Sequence, residues 1–408
     1  MIYIFIILIL VFLSYSYDYK EVKNGKTFWI FLIAFIFIAI GTLHYRVGID
    51  TLDYERFYDN LRPLSNLKES EITSSRYAPG FIILASFTKI FSPDLVLLNF
   101  LYSSFVCGVV VWFLNKYTKH IFFALLMFFI FCYTLLIFEQ IREAIAVGIF
   151  LLSFNFFVKK QWIYWYGMAF LAVMFHTSSI MMFVLPIILL PGIKQLFIFG
   201  KRTFIISVLV LALAFYFEIT FSKYIDLLAM TPAMEEMTKH YANTTFVEGN
   251  LNILGIISKF IQYIIYPLFA MICLSQNSNK EEKSASFNLI ESFTIISIYI
   301  SILSIGVPII SRYNNYFLFF PIVIIGDWIF SNIKIGNKIV RFGFVYWVLI
   351  LLPMFLFQLT SYNLSIDRNG KYKNYMYYYP LTTYIDKEKD YNKERAFNMA
   401  HKRMRRHQ

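Results

Sequence analysis

The sequence predicts an all-α, polytopic integral membrane protein. Of its 408 residues, 59% are hydrophobic and 20% are aromatic, which is more apolar side chain than one water-soluble core holds. Apolar runs of about 20 residues, long enough to cross about 30 Å of hydrocarbon, recur from Ile2 to Thr360. Runs such as residues 121–138 are apolar on every side, whereas the strands of a membrane barrel alternate apolar and polar residues. The sequence therefore favours helices.

We predict about twelve crossings in a single transmembrane domain that covers residues 1–360. The first, from Ile2 to Tyr17, lacks a basic n-region and a small-residue cleavage site, so it is interpreted as a retained span. The stretch from Tyr77 to Phe91, opened by Pro79 and Gly80, is interpreted as a re-entrant or interfacial helix. The predicted spans are 2–17, 28–45, 94–115, 120–138, 143–158, 162–175, 177–191, 203–220, 253–274, 287–310, 316–331 and 342–360.

Basic residues in the short loops indicate the orientation, because Lys and Arg are retained on the cytoplasmic side. With the N-terminus outside, each inner loop carries at least two of them: Lys20, Lys23, Lys26; Lys116, Lys119; Lys159, Lys160; Lys194, Lys201, Arg202; Lys280, Lys283; Lys334, Lys338, Arg341. The longest outer loops are 46–93 and 221–252, and the second is polar enough to cover the outer mouth as a lid. This orientation places Arg46, Asp50, Arg142, His176 and Arg312 at or near the outer face.

The C-terminal tail, residues 361–408, is aromatic and then basic. Parity places it outside, whereas its many Lys and Arg residues are typical of the inside, so its side is left open. It is interpreted either as an interfacial segment followed by an arm on anionic headgroups or as a solvated end.

Several classes of chemistry are excluded by missing motifs. The three cysteines, Cys107, Cys132 and Cys273, lie in apolar runs without metal-ligand spacing, and are expected to be packing residues. No Walker loop, dinucleotide fingerprint or HExxH motif occurs, so no cofactor is expected. Much of the net charge of +12 lies in short loops and the tail, which indicates membrane topology and not nucleic acid.

Arginines at the predicted outer face are the main candidates for substrate binding. Arg142 lies between two apolar stretches with scarcely any loop, and Arg312 lies in a similar place beside Asn314 and Asn315. Guanidinium groups near hydrocarbon have a partner or a substrate, and several in one layer suit a diphosphate, whose oxygens accept paired hydrogen bonds. The alternative for Arg142 is an ion pair with Glu139 or with a carboxylate of another helix.

A histidine and a polar segment accompany these arginines. His176 interrupts an apolar stretch, where a histidine is usually a satisfied core residue, but beside the arginines it is expected to accept a proton or bind phosphate. The segment YRVGIDTLDYERFYDNL supplies Arg46, a turn at Gly48, and the carboxylates of Asp50 and Asp53. The carboxylates are expected to deprotonate a sugar hydroxyl or to pair with Arg46 and Arg56. They could also bind a metal, although the reaction considered below needs none.

Four segments in order resemble the EpsG family of bacterial exopolysaccharide proteins, within the Wzy-like polysaccharide polymerases. They are YRVGIDTLDYERFY, QIREAIAVGIFLLS, FHTSSIMM and SRYNNYFLFFPIVI, and together they cover roughly residues 40 to 330. The resemblance implies a GT-C-like glycosyltransferase at the outer face of the cytoplasmic membrane that joins oligosaccharide units carried on undecaprenyl diphosphate. A chain-length regulator and a flippase are candidate partners. The matching positions are Arg46, Gly48, Asp50, Arg142, His176 and Arg312.

In this reaction the growing chain passes to a hydroxyl of the next unit and a lipid diphosphate leaves. We expect Arg142 and Arg312 to hold the diphosphate, with Arg46 as a further ligand or as the residue that orders its loop. His176 or Asp50 would act on the acceptor hydroxyl, and Gly48 and Asp53 would support the loop. A flippase for lipid-linked oligosaccharide and a membrane O-acyltransferase are the competing functions.

Overall fold

The computed structural model describes residues 2–48, 50–228, 266–277, 285–305, 310–334, 381–390, 392, 393, 395 and 396. The regular elements within these ranges are helices, and one isolated antiparallel bridge joins His44 and Thr383. The predicted all-α class is therefore confirmed. Residues 229–265 and 342–380 lie outside the described ranges, and with them most of the predicted lid and the span 342–360.

The elements before residue 160 are helices with several wide π-helical turns. Helix α1 is Ile2–Leu13 and continues as π-turns through Ser14–Tyr19, α2 is Lys26–Leu43, α3 is Thr51–Asn60, α4 is Glu69–Thr73, α5 is Pro79–Thr88 and α6 is Val96–Tyr117. Helix α7 is Ile121–Phe128 and continues as π-turns Phe129–Tyr133 and Leu135–Glu139, and α8 is Ile141–Val158. Only one residue, Gln140, separates the π-turns from α8, and its φ of −105° and ψ of 49° interrupt the helical backbone there.

The later elements begin with α9, Trp162–Val173, and two 3₁₀ segments, Thr177–Phe183 and Leu185–Leu189. They continue with α10, Pro191–Lys194, α11, Lys201–Leu228, α12, Tyr266–Asn277, α13, Ala285–Leu303, α14, Ser311–Phe317, and α15, Phe319–Lys334. The predicted span 177–191 is therefore a series of short 3₁₀ pieces and not one straight helix. Pro186 and Pro191 contribute to this, because proline lacks the N–H group that an α-helix interior uses.

Five helices in the described ranges are long and apolar enough to cross a membrane: Ile2–Tyr19, Lys26–Leu43, Val96–Tyr117, Ile141–Val158 and Ala285–Leu303. Two bent helix pairs raise the number to seven if each pair is one span. The chain is thus a membrane protein, and the total of about twelve crossings stays a prediction. Helix α5 has ten residues, or about 15 Å, which is too short to cross and agrees with its interpretation as re-entrant or interfacial.

The chain divides into two compact units, and each is described by itself. The first unit contains the described residues of 1–190, 325–355 and 377–396, and the second contains those of 191–324. In the first unit, Phe37 stacks on Phe129 with ring centres 5.4 Å apart, and the Tyr133 hydroxyl donates to the Phe37 carbonyl at 2.6 Å. The Tyr102 hydroxyl donates to the Ile137 carbonyl at 2.6 Å. These bonds satisfy carbonyls within and beside the π-turns and fix the C-terminal end of α7.

A polar clamp joins two helices of the second unit. The Ser297 hydroxyl donates to Asn314 Oδ1 at 2.8 Å, and Asn314 Nδ2 donates to the Ser301 hydroxyl at 2.8 Å. All three side chains are buried, so each depends on the others for its hydrogen bonds. Asn314 therefore has a structural role between α13 and α14.

The C-terminal segment 381–396 lies against the loop that follows α2. The Tyr45 N–H donates to the Thr382 carbonyl at 2.9 Å, and the rings of Tyr45 and Tyr384 lie 5.1 Å apart. Arg395, which is 3% exposed, donates from Nη1 to the Arg46 carbonyl at 3.1 Å. This segment therefore lies at the same end of the first unit as the start of the loop after α2.

Candidate functional site

The loop after α2 approaches the π-turn before α8 so closely that it requires glycine. Gly48 has φ +95°, and a Cβ atom there would lie 2.9 Å from the Phe138 carbonyl oxygen. Thr51 also donates to the carbonyls of Val47 and Phe138, the latter at 3.4 Å. Both the conformation of Gly48 and its contact with Phe138 exclude a side chain, and its role in supporting a site stays a prediction.

Arg46 is held by a carboxylate that the sequence interpretation did not single out. Its Nε and Nη2 donate to the two oxygens of Glu55 at 2.7 and 2.9 Å. Burial lowers the pKa of Arg46, but the hydrogen bonds and charge of Glu55 outweigh this, so that its pKa is raised. Arg46 also has φ +51°, a left-handed conformation that is uncommon outside glycine. These contacts favour a role in ordering the loop.

The two aspartates of the segment differ in their surroundings. Asp50 is exposed at the start of α3, where its carbonyl accepts from the N–H groups of Asp53 at 3.1 Å and Tyr54 at 3.3 Å. Asp53 pairs with Arg76 at 3.2 Å, and not with Arg56 as considered from the sequence. Among the described residues no group of three His, Cys, Asp or Glu side chains is placed to hold a metal ion.

Arg142 lies at the N-terminal end of α8 and faces an aromatic ring. Its guanidinium carbon is 4.6 Å from the centre of the Tyr77 ring, and within the described part of the chain its buried Nε has no hydrogen-bond partner. Burial raises the pKa of Tyr54 to about 12, while the charge and hydrogen bond of Arg142 oppose that rise and the charge of Asp50 adds to it. Arg142, Asp50, Tyr54 and Tyr77 are therefore neighbours. The expected alternative, a pair with Glu139, is not what the guanidinium faces.

His176 forms a buried pair with the residue that follows Arg142. Its Nε2 lies 3.9 Å from Glu143 Oε2, and the two residues are 8% and 2% exposed. On the other side of the ring, Nδ1 is 2.5 Å from the Ser178 hydroxyl and accepts from the Ser178 N–H at 3.4 Å. Because Nδ1 accepts, the neutral ring carries its proton on Nε2 and points it toward Glu143.

A further contact brings α5 to the same end of the helices. The Gly80 N–H donates to the Met174 carbonyl at 2.7 Å, two residues before His176, and a Cβ at Gly80 would lie 2.7 Å from that oxygen. Pro79 occupies the first turn of α5, where its missing N–H is not needed. The loop after α2, the start of α8 and the end of α9 therefore meet at one end of the first unit.

The first unit thus brings together most of the predicted site residues: Arg46, Gly48, Asp50, Asp53, Arg142 and His176. Arg312 is exposed at the start of α14 in the second unit, so its place in this site stays a prediction. The sequence interpretation missed Glu143, Tyr77 and Arg395. The signal for Glu143 was its position beside Arg142, and none of the local patterns indicates Arg395.

The fold and this cluster define an integral membrane protein with an arginine and a histidine–carboxylate pair at one end of its helices. The sequence profile of the EpsG family matches residues 26–379, and the chain belongs to that family. Members of the family are Wzy-like polysaccharide polymerases, so the resemblance noted from the sequence is confirmed. No curated protein and no solved structure matches the chain significantly. Membership implies a polymerase-like role in polysaccharide biosynthesis and glycosyltransferase-like activity.

Proposed function

We propose that this protein joins oligosaccharide repeat units carried on undecaprenyl diphosphate, at the outer face of a bacterial cytoplasmic membrane. The observation that carries the proposal is Arg142, whose guanidinium is at the N-terminal end of α8 and keeps a buried nitrogen without a hydrogen-bond partner in the described chain. Such a group is suited to an anion that arrives with the substrate. A lipid diphosphate is the anion that this reaction releases.

The start of α8 adds to the attraction for a diphosphate. The first N–H groups of a helix have no partner within it and carry a partial positive charge, so helix N-termini bind phosphates. Arg142 supplies a full charge beside them and a planar set of donors. Donors that are already in place stabilise the charge that develops on the leaving diphosphate.

His176 is the favoured base for the acceptor hydroxyl. Glu143 orients its Nε2–H and would stabilise the imidazolium that forms. An acceptor hydroxyl that displaces the Ser178 hydroxyl, which lies 2.5 Å from Nδ1, would be placed to give its proton to that nitrogen. That proton moves to Nδ1 while the acceptor oxygen bonds to the anomeric carbon, and the broken carbon–oxygen bond leaves its electron pair on the diphosphate. Asp50, exposed near Tyr54, is the second candidate base.

The remaining residues have supporting roles in this scheme. Arg46 orders its loop through Glu55, and Gly48 and Asp53 hold the same region in place. Arg312 stays a predicted diphosphate ligand, and a flippase and a chain-length regulator would be partners. No step of the scheme requires a metal or cofactor.

An O-acyltransferase is the second candidate function, because a buried histidine–carboxylate pair also activates hydroxyls for acyl transfer. Acyl transfer gives no reason for the Arg142 guanidinium to lie over the Tyr77 ring. A flippase would need charged or polar groups along a path through the membrane, whereas the cluster described above is at one end of the helices. The family assignment favours the polymerase over both.

The test is gel analysis of surface and lipid-linked glycans in a deletion strain that carries wild type, Arg142→Ala or His176→Ala. A polymerase predicts that both variants lose the ladder and accumulate single repeat units facing outward. Units trapped on the cytoplasmic side would indicate a flippase, and an intact ladder without acyl groups would indicate the acyltransferase. Arg202→Ala is the control, since Arg202 is exposed in the second unit and bonds to Gln195 at 2.7 Å.

A further inference from the structure

We propose that an open groove beside α3 and α4 is a saccharide-binding site for the repeat unit of the substrate, an inference that rests on the proposed function. The groove has a volume of about 380 Å³, within the range of about 300–1,000 Å³ typical of small-molecule sites. It is lined by Asp53, Arg56, Phe57, Asn60, Leu61, Glu71, Ser74, Ser75, Arg76 and Tyr77. All of these residues lie within the first unit.

The charges of the lining residues balance, which favours a neutral polar ligand over an anion. Asp53 pairs with Arg76 at 3.2 Å, and Glu71 lies 3.8 Å from Arg62 and accepts from the Lys68 N–H at 3.0 Å. Carboxylates and guanidinium groups held in this way present both acceptors and donors. The hydroxyls of a sugar ring are both donors and acceptors, so they match such a surface.

Phe57 gives the groove an apolar wall of fixed position. Its side chain is partly exposed, and its ring centre lies 4.2 Å from that of Tyr77 and 5.8 Å from that of Phe81. These contacts hold the ring in one orientation. Seven of the ten lining residues are polar or charged, and a fixed aromatic ring among them suits the C–H face of a sugar.

Tyr77 connects this groove with the proposed diphosphate site. It lines the groove, and Arg142 lies over its ring at 4.6 Å. A saccharide in the groove would thus be separated by about one aromatic ring from a diphosphate at Arg142. Such a position orients the repeat unit relative to the reacting bond, which is how a binding subsite contributes to the rate.

The experiment measures saccharide binding to the purified full chain in lipid nanodiscs by saturation-transfer NMR titration. The first probe is the single repeat unit released by mild acid from lipid carriers, and the second is a fragment of several units cut from the mature polymer. Equal binding of both probes assigns the groove to the acceptor unit, whereas binding of the longer fragment alone assigns it to the growing chain.

Two pairs of matched variants locate the site. Asn60→Ala and Glu71→Gln change residues that line the groove, whereas Asn66→Ala and Glu69→Gln change exposed residues of the same types that do not line it. Glu71→Gln keeps an oxygen that can accept from the Lys68 N–H, so α4 retains its start. The loss of one hydrogen bond to the ligand predicts about 3- to 10-fold weaker binding for each groove variant and no change for its control.

The inference is overturned if the groove variants bind both probes like wild type, if the controls weaken binding equally, or if wild type binds neither probe. The proposed function is judged separately by the glycans of the deletion strain. If the strain accumulates repeat units but the groove variants bind saccharide like wild type, the polymerase assignment stands and the groove is not its saccharide site. If the groove variants weaken binding but the strain accumulates no repeat units, the groove still binds saccharide and the polymerase assignment fails.

Discussion

Arg395→Ala is expected to detach the C-terminal segment from the loop after α2. The side chain is buried, and its Nη1 donates both to the Arg46 carbonyl at 3.1 Å and to the Thr382 hydroxyl at 2.8 Å. Removal of the guanidinium leaves these two acceptors without that donor. The loop residue concerned, Arg46, already has a left-handed conformation, so it depends on its surroundings to remain in place.

The size of the effect follows from the two bonds. A hydrogen bond from a charged group contributes about 1.5–3 kcal/mol, so the pair contributes about 3–6 kcal/mol as an upper limit, because water replaces part of it in the detached state. The lower end of this limit corresponds to a detached population increased by up to about a hundredfold. The opening is local, since segment 381–396 can leave while the helices stay folded.

Hydrogen exchange gives a direct measurement of this opening. The Tyr45 N–H donates to the Thr382 carbonyl, so its exchange rate reports contact between the loop and the segment. In Arg395→Ala, a peptide containing Tyr45 is expected to exchange faster than in wild type, by up to about a hundredfold. Lys393→Ala is the control, because Lys393 is exposed and makes only a surface pair with Asp390 at 3.6 Å. Equal exchange in wild type and Arg395→Ala would show that Arg395 does not hold the segment against the loop.

Four further variants test other parts of the molecule. Gly48→Ala is expected to cost about 1–2 kcal/mol for its conformation and more for the clash with Phe138, and to lower the melting temperature and polymer yield together; normal values for both would contradict the close approach. Glu55→Gln should weaken the bidentate pair with Arg46 and raise proteolysis of the loop 44–50, whereas protection like that of wild type would show that Glu55 is dispensable. Arg142→Ala should lower the melting temperature by no more than a few degrees while abolishing polymer, because it loses the hydrogen bond to Tyr54 and the contact with the Tyr77 ring but no hydrogen bond at Nε; a larger thermal loss would assign it a structural role. Asn314→Ala should destabilise the protein by about 1–3 kcal/mol, since two buried serines of α13 lose their partner, and an unchanged melting curve would show that the clamp is not needed.

The class of fold could be predicted from the sequence because membrane-spanning helices leave a strong signal. An uninterrupted apolar run such as that before Glu139 predicts a buried helix whether lipid or protein surrounds it, and here the protein itself covers most of the run. The internal geometry of a span leaves no comparable signal. The predicted span 177–191 has the composition of a crossing, yet its backbone forms 3₁₀ pieces between His176 and Pro191. Composition reports the solvent around a segment and not the hydrogen-bond pattern within it.

Some residues of the candidate site could be predicted because a polar side chain in apolar surroundings is energetically costly and therefore stands out in the sequence. Arg142 and His176 stand out for this reason, and the structure places both at one end of the first unit. Their partners could not be found in the same way. Glu55 is nine residues after Arg46 and lies in α3, and Arg395 contacts Arg46 from 349 positions later in the chain. Such contacts depend on tertiary packing, which no local pattern records.

The distribution of carboxylates explains why one arginine of the cluster differs from the others. Arg46 is neutralised by Glu55 and Arg76 by Asp53, whereas Arg142 faces the ring of Tyr77. Glu143, the acid nearest to Arg142 in sequence, is directed toward His176. An aromatic face attracts a cation by about 0.5–2 kcal/mol, which is less than a diphosphate with two charge-assisted bonds provides. Tyr77 therefore holds the guanidinium in place without competing strongly with an anionic substrate. A carboxylate at the same position would compete with that substrate for the guanidinium.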